Sequence, residues 1–284
     1  MEDAKLSVIC LREDTEKEIE CLERKKIGQG AFGEVFHLLL RDGTECALKV
    51  VLEKALYINR ELHMLKSLKH PSIVQVMWYR YGESTEEGVY LHIFMEYVKS
   101  DLFSLIRSKY RFSKKELISY SVQLMDGVAF LHSQNVAHRD IKTSNVLIDA
   151  ERGLLKICDL GSAKEMKKGD SNVSYICSRN YRAPEVLLGK SYGVAIDVWS
   201  CGCVIAEMVV QEVLFQAPSA EALLNRIRKL DPNLSEHILT SSKRSDVGDL
   251  VSVIRKMLVC DPKSRATSKE VLQDLKRLRA ADAC

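Results

Sequence analysis

The chain has 284 residues, of which 46% are hydrophobic, so it is long enough for one large domain or for two lobes that share a cleft. Forty-two lysines and arginines against 39 aspartates and glutamates leave a formal net charge of only +3. This small excess argues against nucleic-acid binding through overall charge, so any basic binding site must be local.

The cysteines and the apolar runs indicate the compartment. Nine cysteines are scattered without Cys-x-x-Cys spacing, and Cys201 and Cys203 flank a glycine in an apolar helical pattern. This arrangement favours buried, reduced thiols over a disulfide framework or a zinc site. No apolar run approaches about 18 residues, and the acidic N-terminal segment is unlike a signal or transit peptide. We therefore expect a soluble intracellular protein.

Strand patterns dominate the chain up to about residue 98. The clearest runs are EVFHLLL, ECALKVV and VYLHIFMEYV, and Asp42-Gly43 between the first two predicts a hairpin turn. One helix is predicted among these strands, because the segment ALYINRELHMLKSLK places Ile58, Leu62 and Leu65 at helical spacing.

After residue 100 the pattern becomes helical. Ser113 and Glu116 form a capping box that opens one helix, and Thr267 and Glu270 open the last helix in the same way. The run DVWSCGCVIAEMVV is apolar on almost every side, which predicts a helix buried in the centre of its lobe. The predicted fold class is α+β and bilobal, with a small β-rich N-lobe and a larger α-helical C-lobe. The predicted boundaries are an N-terminal extension at 1–24, a domain at 25–280, an N-lobe at 25–96, a hinge at 97–100 and a C-lobe at 101–280.

The segment IGQGAFGEV contains a Gly-x-Gly-x-x-Gly pattern at Gly28, Gly30 and Gly33. Glycines let a backbone approach phosphates closely and adopt positive φ, so this loop could cover a triphosphate. Two alternatives are a plain glycine-rich hairpin and a dinucleotide-binding fingerprint. The fingerprint needs a helix after the glycines, whereas a strand pattern follows here.

Two charged residues follow on the next predicted elements. Lys49 lies on the strand CALKV, and Glu61 lies on the helix after it. Such a pair can orient the lysine towards the α- and β-phosphates of a nucleotide. Considered alone, it could also be a surface salt bridge that contributes little to stability.

The segments HRDIKTSN and CDLG add the residues that phosphoryl transfer requires. Asp140 can accept or orient a substrate hydroxyl proton, and Lys142 can neutralise the phosphate in transfer. Asn145 and Asp159 offer hard oxygen ligands to Mg²⁺. The order and spacing of these residues, between a β-rich and an α-rich lobe, form the strongest signal in the sequence.

With these motifs the chain resembles the eukaryotic protein kinases over about residues 24–280. The segments NREL, LKICDLGSAKEMKKGDSNVSYICSRNYRAPE and IDVWSCGCVIAEM narrow the resemblance to the glycogen synthase kinase 3 (shaggy) family. The resemblance implies ATP and Mg²⁺ as cofactors. It also implies an ATP site lined by Ile27, Gly28, Gly30, Gly33, Val35, Ala47, Lys49, Met95, Glu96, Val98 and Leu147.

The resemblance also implies roles for single residues. Glu96 and Val98 would offer backbone groups to adenine. Glu185 would pair with Arg265 inside the large lobe, and Asp197 would brace the catalytic loop from the buried helix. The roles of Glu185, Arg265 and Asp197 are structural rather than chemical.

The chain departs from the family pattern at several places. Leu160 replaces the usual phenylalanine after the metal-binding aspartate, and Thr143 replaces the common proline of the catalytic loop. Residues 1–24 contain no arginine-flanked serine like the family's inhibitory phosphosite. The region 211–261 is shorter than the segment with which the family binds scaffold proteins, which puts axin-type partners in doubt.

The stretch SYICSRNYRAPE carries a regulatory expectation. Tyr175 matches the family's autophosphorylated tyrosine, and a phosphate there would face Arg179 and Arg182. The alternative is an aromatic residue packed on the lobe beside solvated arginines.

Three basic residues stand next to catalytic elements. In the family, the positions of Arg60, Arg139 and Lys164 converge on one anion site, which receives a phosphoserine four residues C-terminal to the target serine. Such a site would favour a dianion through charge-assisted hydrogen bonds. The alternative is that Arg139 binds a phosphorylated loop residue while the other two side chains are solvated.

The sequence therefore predicts a Ser/Thr protein kinase that prefers primed protein substrates. Its alternatives are a pseudokinase that acts as a binding scaffold and a small-molecule kinase of similar fold; tyrosine specificity is disfavoured by Lys142. We expect partners among pre-phosphorylated proteins, no nucleic acid and no membrane, and a cytoplasmic and nuclear location.

Overall fold

A computed structural model of the chain describes residues 4–10, 15–30, 33–53, 60–167, 172 and 176–282. The chain forms two compact units, Met1–Lys99 and Ser100–Cys284. The first unit is mostly strand and the second mostly helix, which confirms the predicted fold class.

The first unit is a closed antiparallel barrel. The strand order around it is β1-β2-β3-β4-β6-β5, with β1 paired to β5 at Ile9 and Tyr79. The predicted turn at Asp42-Gly43 is confirmed between β3 and β4, where Gly43 has a φ of +82°. The described elements of this unit are β1 (Ala4–Cys10), β2 (Glu16–Gly30), β3 (Gly33–Leu40), β4 (Glu45–Glu53), α1 (Arg60–Ser67), β5 (Val76–Thr85) and β6 (Gly88–Glu96).

Residues 4–10 and 16–24 are strands of this barrel, although the sequence predicts an N-terminal extension at 1–24. Val8 and Ile19 are buried with Trp78 in the barrel core. Glu18 and Glu20, on either side of Ile19, alternate with it along the strand, so they lie on the opposite face. The glutamates of this segment are therefore compatible with a half-buried strand, and Lys17, on the face of Ile19, lies over the Trp78 ring with its Nζ 5.2 Å from the ring centroid.

The second unit contains mostly helices, with two small sheets in the orders β10-β9-β7 and β11-β8. Its described elements are β7 (Ser100–Asp101), α2 (Leu102–Arg107), α3 (Lys114–Ser133), β8 (Val136–Ala137), β9 (Val146–Asp149), β10 (Leu154–Ile157), β11 (Lys164–Glu165), α4 (Pro184–Leu187), α5 (Ala195–Val210), α6 (Ala220–Leu230), α7 (Leu234–Ser242), α8 (Gly248–Met257) and α9 (Ser268–Ala281).

The predicted capping boxes open α3 and α9. Ser113 Oγ accepts a hydrogen bond from the Glu116 N–H at 3.2 Å, and Glu116 Oε2 accepts one from the Ser113 N–H at 2.8 Å. Thr267 and Glu270 make the same reciprocal pair at α9. Each box satisfies N–H groups that the first helical turn leaves without a partner.

Helix α5 is the buried centre of the second unit, as predicted. Every residue from Ile196 to Val209 is buried. A Cβ added at Gly202 would lie 2.9 Å from a side-chain carbon of Leu258, so the glycine permits this close packing. Cys201 and Cys203 are buried on this helix, and the described cysteines are free thiols. Among the described helices, none is long and apolar enough to cross a membrane.

A buried ion pair holds helix α4 to the chain before α9. Arg265 donates to both carboxylate oxygens of Glu185, at 2.7 and 2.9 Å, and also to the carbonyl oxygens of Ala195 and Val259. The exposed fractions of the arginine and glutamate side chains are 0% and 4%. Either partner alone would therefore be an uncompensated buried charge.

We predict that Glu185→Ala lowers the free energy of unfolding by about 3–5 kcal/mol, because it leaves the Arg265 charge buried. Asp274→Ala is the matched control, since Asp274 pairs with Lys256, whose side chain is 57% exposed. The control substitution should lower the free energy of unfolding by at most about 1 kcal/mol. Urea unfolding of both variants measures the difference, and equal losses would contradict the assignment.

Candidate active site

The glycine loop joins two strands. Strands β2 and β3 pair with Gly28 opposite Val35 and Gly30 opposite Gly33. Gly33 has a φ of +135°, and a Cβ there would lie 2.0 Å from the carbonyl oxygen of Val50, so only glycine fits. A strand follows the glycines, which excludes the strand-to-helix turn of a dinucleotide fingerprint.

Lys49 and Glu61 meet inside the first unit. Lys49 lies in the middle of β4, between Val35 on β3 and Ile93 on β6. Its Nζ is 2.6 Å from Glu61 Oε2, and the two side chains are 11% and 5% exposed. This burial excludes the alternative of a solvated surface salt bridge. Arg60 begins α1 just before Glu61, but its side chain lies outside the described part of the chain.

Four other residues of the expected ATP site lie on strands of the two units. Ala47 on β4 pairs with Met95 on β6, and Met95 is buried. Ile27 on β2 is 48% exposed, so its side chain is accessible to a ligand. Leu147 lies on β9 of the second unit.

The end of β6 carries the two backbone positions expected to contact adenine. The N–H of Glu96 donates to the carbonyl oxygen of Gln75 at 3.0 Å, and Glu96 Oε1 accepts from the Gln75 N–H at 2.8 Å. A contact between Glu96 and adenine would therefore use its carbonyl group. Val98 follows two residues later and is buried.

In the second unit, the Asp140 carboxylate is held on both oxygens. Oδ2 accepts hydrogen bonds from Lys142 Nζ at 2.8 Å and from Asn145 Nδ2 at 3.2 Å. Oδ1 accepts from both the N–H and the Oγ–H of Ser178, each at 2.9 Å. The carboxylate is thus fixed in orientation by the catalytic loop and by the segment before α4.

Asn145 and Asp159 are brought together by the backbone. The N–H of Cys158 donates to the carbonyl oxygen of Asn145 at 3.0 Å, so the next residue, Asp159, lies beside it. Asn145 Nδ2 donates to Asp140, which makes Oδ1 the acceptor end of its amide. An amide oxygen and a carboxylate are ligands that Mg²⁺ accepts, usually together with phosphates and water. Within the described residues no group of three or more His, Cys, Asp or Glu could hold a metal.

Asp197 at the start of α5 braces the catalytic loop, as the resemblance implied. It accepts hydrogen bonds from the backbone N–H groups of His138 at 2.8 Å and Arg139 at 2.9 Å, and His132 Nε2 lies 3.0 Å away. Burial alone would raise the pKa of Asp197, but the hydrogen bond and charge of His132, together with the Arg139 N–H, bring it below its ordinary value. The carboxylate therefore stays ionised and holds the left-handed turn at Arg139, where φ is +68°.

Arg139 and Lys164 lie close to one polar corner of the second unit. Arg139 Nε donates to the Ser162 carbonyl oxygen at 2.6 Å, and Nη1 donates to the Tyr192 hydroxyl at 3.2 Å. Lys164 Nζ donates to Asn172 Oδ1 at 2.7 Å. The N–H of Tyr192 donates to the Asn172 carbonyl oxygen at 3.2 Å, which connects the two contacts.

Tyr175 lies outside the described residues, whereas the two arginines expected to face it are described. Arg179 Nη1 donates to the Pro218 carbonyl oxygen at 2.6 Å. Arg182 Nε donates to the carbonyl oxygens of residues 176–177 at 2.6 and 2.9 Å. Arg182 thus contacts backbone oxygens just after the tyrosine, whereas Arg179 contacts the connection between α5 and α6.

Sequence reasoning missed the residues that support these groups. Ser178 lies between Tyr175 and Arg179, where only the tyrosine and the arginines were considered. Asn172 and Tyr192 gave no signal, because they are distant in sequence from the residues that they contact.

Comparison with known proteins agrees with this geometry. The protein kinase domain family matches residues 22–275. The chain is 38% identical over 275 residues to a probable serine/threonine-protein kinase MRK1 homolog of Encephalitozoon cuniculi, covering 90% of this chain and 86% of that protein. It is 35% identical over 285 residues to the protein kinase gsk3 of Schizosaccharomyces pombe, covering 90% and 73%. It is 39% identical over 241 residues to the glycogen synthase kinase 1 of Pyricularia oryzae, covering 78% and 61%.

A protein kinase domain uses ATP and a divalent metal and acts on protein substrates. The family match spans most of the chain, and two of these relatives are at least 35% identical to it with more than two thirds of their own length covered. The chain is therefore a serine/threonine-protein kinase and belongs to the glycogen synthase kinase 3 family.

Proposed function

We propose that this kinase transfers the γ-phosphoryl group of ATP to serine or threonine with Mg²⁺ as the metal, through the residues described above. The observation that supports this most directly is the Asp140 carboxylate, oriented on both oxygens beside the Lys142 ammonium. Asp140 accepts the substrate hydroxyl proton as the oxygen–phosphorus bond forms and the bond to the ADP leaving group breaks. Lys142 offsets the charge of the phosphoryl group in transfer.

The remaining residues bind and orient the nucleotide. Lys49, held by Glu61, contacts the α- and β-phosphates, and the loop with Gly28 to Gly33 covers them. Asn145 and Asp159 hold the metal, which supplies charge neutralisation on the phosphates when it is bound. The apolar ATP-site residues named above contact the base.

Mg²⁺-dependent phosphorylation of a peptide distinguishes an active enzyme from a pseudokinase. Asp159→Asn removes a hard metal ligand without removing volume, so we predict loss of Mg²⁺-dependent phosphorylation of a peptide with an unchanged unfolding midpoint. Asp140→Ala should lower the rate by roughly 10²- to 10⁴-fold. Asp249→Asn, at an exposed carboxylate in the first turn of α8, is the control. An inactive wild-type protein that still binds ATP would favour the scaffold alternative.

We also propose that substrates primed by a phosphoserine four residues C-terminal to the target are preferred. This proposal is supported by a chain of hydrogen bonds that connects two of the basic residues. Arg139 contacts Tyr192, Lys164 contacts Asn172, and Tyr192 and Asn172 contact each other. Among the described residues Arg139 donates its side-chain hydrogen bonds to uncharged oxygens, so its positive charge is available to an anion. Arg60 is added by the family resemblance.

The primed preference predicts a rate difference between two peptides. A Ser-x-x-x-phosphoSer peptide should be phosphorylated at least about tenfold faster than its unprimed form, because charge-assisted hydrogen bonds contribute about 1.5–3 kcal/mol each before screening. Added salt should reduce the advantage. Arg60→Ala should remove most of it, whereas Arg228→Ala, on an exposed position of α6, should not. Equal rates on both peptides with the wild-type enzyme would refute the proposed binding site for the priming phosphate.

We propose Tyr175 as an autophosphorylation site that activates the enzyme. A phosphate there carries about −1.5 to −2 charges at neutral pH and could take Arg179 and Arg182 as partners in place of the backbone oxygens that they now contact. The segment would then be held open for substrate. The alternative of a packed aromatic residue requires no phosphate.

Mass spectrometry of the purified active kinase should find phosphate on Tyr175, and Tyr175→Phe should lower activity because the anionic partner of the two arginines is lost. Phosphatase treatment of the wild type should lower activity to the level of the variant. Full activity in Tyr175→Phe would show that the phosphate is dispensable.

We propose a cytoplasmic and nuclear location, consistent with free thiols at the described cysteines. Protein substrates are the proposed partners. The region 211–261 contains α6, α7 and α8, and because it is shorter than the segment with which the family binds scaffold proteins, we do not propose an axin-type scaffold partner.

A further inference from the structure

Two hydroxyl groups and one carboxyl group meet on the buried side of the catalytic loop. Thr143 lies in that loop between Lys142 and Asn145, Tyr181 lies in the segment before α4, and Glu207 lies on α5. Their exposed fractions are 1%, 8% and 2%, so water does not solvate them. Each group must therefore find its hydrogen-bond partners among the other two or nearby protein atoms.

The three side chains form a closed triangle of contacts. Tyr181 OH is 2.8 Å from Glu207 Oε2, and Thr143 Oγ1 is 3.0 Å from Tyr181 OH. Thr143 Oγ1 is 3.4 Å from Glu207 Oε1, which is the longest edge. The two carboxylate oxygens of Glu207 thus contact different hydroxyl groups.

The number of hydrogens decides how many of these edges can be hydrogen bonds. An ionised Glu207 brings none, so the Thr143 and Tyr181 hydroxyls supply two hydrogens for three edges. A protonated Glu207 brings a third. The triangle then closes in one direction: Glu207 Oε1–H donates to Thr143, Thr143 donates to Tyr181, and Tyr181 donates to Glu207 Oε2.

The surroundings also favour the neutral carboxyl group. Burial raises the pKa of Glu207 above its ordinary value of 4.5, and hydrogen bonds from Tyr181 and Thr143 only partly oppose this. The titratable groups that face it are Tyr181 and, one turn earlier on α5, Cys203, and burial raises the pKa of each. Within the described residues, no lysine, arginine or histidine forms an ion pair with Glu207.

We propose that Glu207 is protonated in the working enzyme and closes a hydrogen-bonded ring with Thr143 and Tyr181, which makes Thr143 a positioning residue for the catalytic loop. The ring joins that loop to the segment in which Ser178 contacts Asp140. Helix α5 supports the same segment a second time, because Ser200 Oγ donates to the Tyr181 carbonyl oxygen at 2.8 Å. A proline at position 143, the common residue in the family, has no hydroxyl and could not complete the ring.

The protonation state is tested without any assay of activity. Infrared difference spectra of the wild type and Glu207→Gln at neutral pH should show the carbonyl band of a protonated carboxyl group in the wild type alone. Because the folded-state pKa is raised, the wild type should lose stability relative to Glu207→Gln as pH rises above 4.5, the ordinary pKa of a glutamate, towards the higher folded-state pKa. Absence of the band together with a constant stability difference would overturn the proposal.

The positioning role rests on the proposed function and is tested by kinetics. Thr143→Val keeps the branched shape without the hydroxyl and should lower kcat about 3- to 10-fold with little change in KM for ATP. Thr143→Ser restores a hydroxyl and should recover most of kcat. Wild-type kcat in Thr143→Val would overturn the role, as would a loss that Thr143→Ser does not rescue. Inactivity of the wild type would instead count against the proposed function, and the infrared result would stand.

Discussion

Asp197 is the carboxylate on which the geometry of the second unit depends. It lies at the start of a helix that is buried from Ile196 to Val209, and it accepts hydrogen bonds from the backbone N–H groups of His138 and Arg139. These two hydrogen bonds fix the turn that Asp140, Lys142 and Asn145 follow along the chain. Its lowered pKa means that its stabilising effect is present above the ordinary range of an aspartate and is lost only as pH falls through the lower folded-state value.

The catalytic loop is held from a second side by the segment before α4. Ser178 contacts the Asp140 carboxylate, and Tyr181 contacts Thr143. Both contacts belong to the stretch between the expected phosphosite Tyr175 and Ala-Pro-Glu. A change in the conformation of this stretch would therefore act on the catalytic carboxylate directly, through hydrogen bonds, and would need no long pathway of coupled residues.

Much of this arrangement could be predicted from the sequence because local patterns determine it. The capping boxes at Ser113 and Thr267, the turn at Gly43 and the apolar run of α5 each express a rule that operates over a few residues. Catalytic residues such as Lys49 and Asp140 could also be predicted, because the motifs that contain them follow a characteristic order and spacing along the chain. Contacts such as Thr143 to Glu207 and Asn172 to Tyr192 join residues that only the tertiary fold brings together, so no local sequence pattern predicts them.

The closure of the barrel by β1 has a consequence for how the protein can be shortened. The family match begins at residue 22, inside β2, whereas the sheet begins at Ala4. A version cut at residue 22 would lack β1 and the part of β2 that pairs with it, so the barrel would open and β5 would lose its partners at Trp78 and Tyr79, leaving a strand edge with unpaired N–H and C=O groups. Such edges can pair with those of another molecule, so the minimal soluble unit is set by the need to protect a sheet edge rather than by the extent of the catalytic motifs.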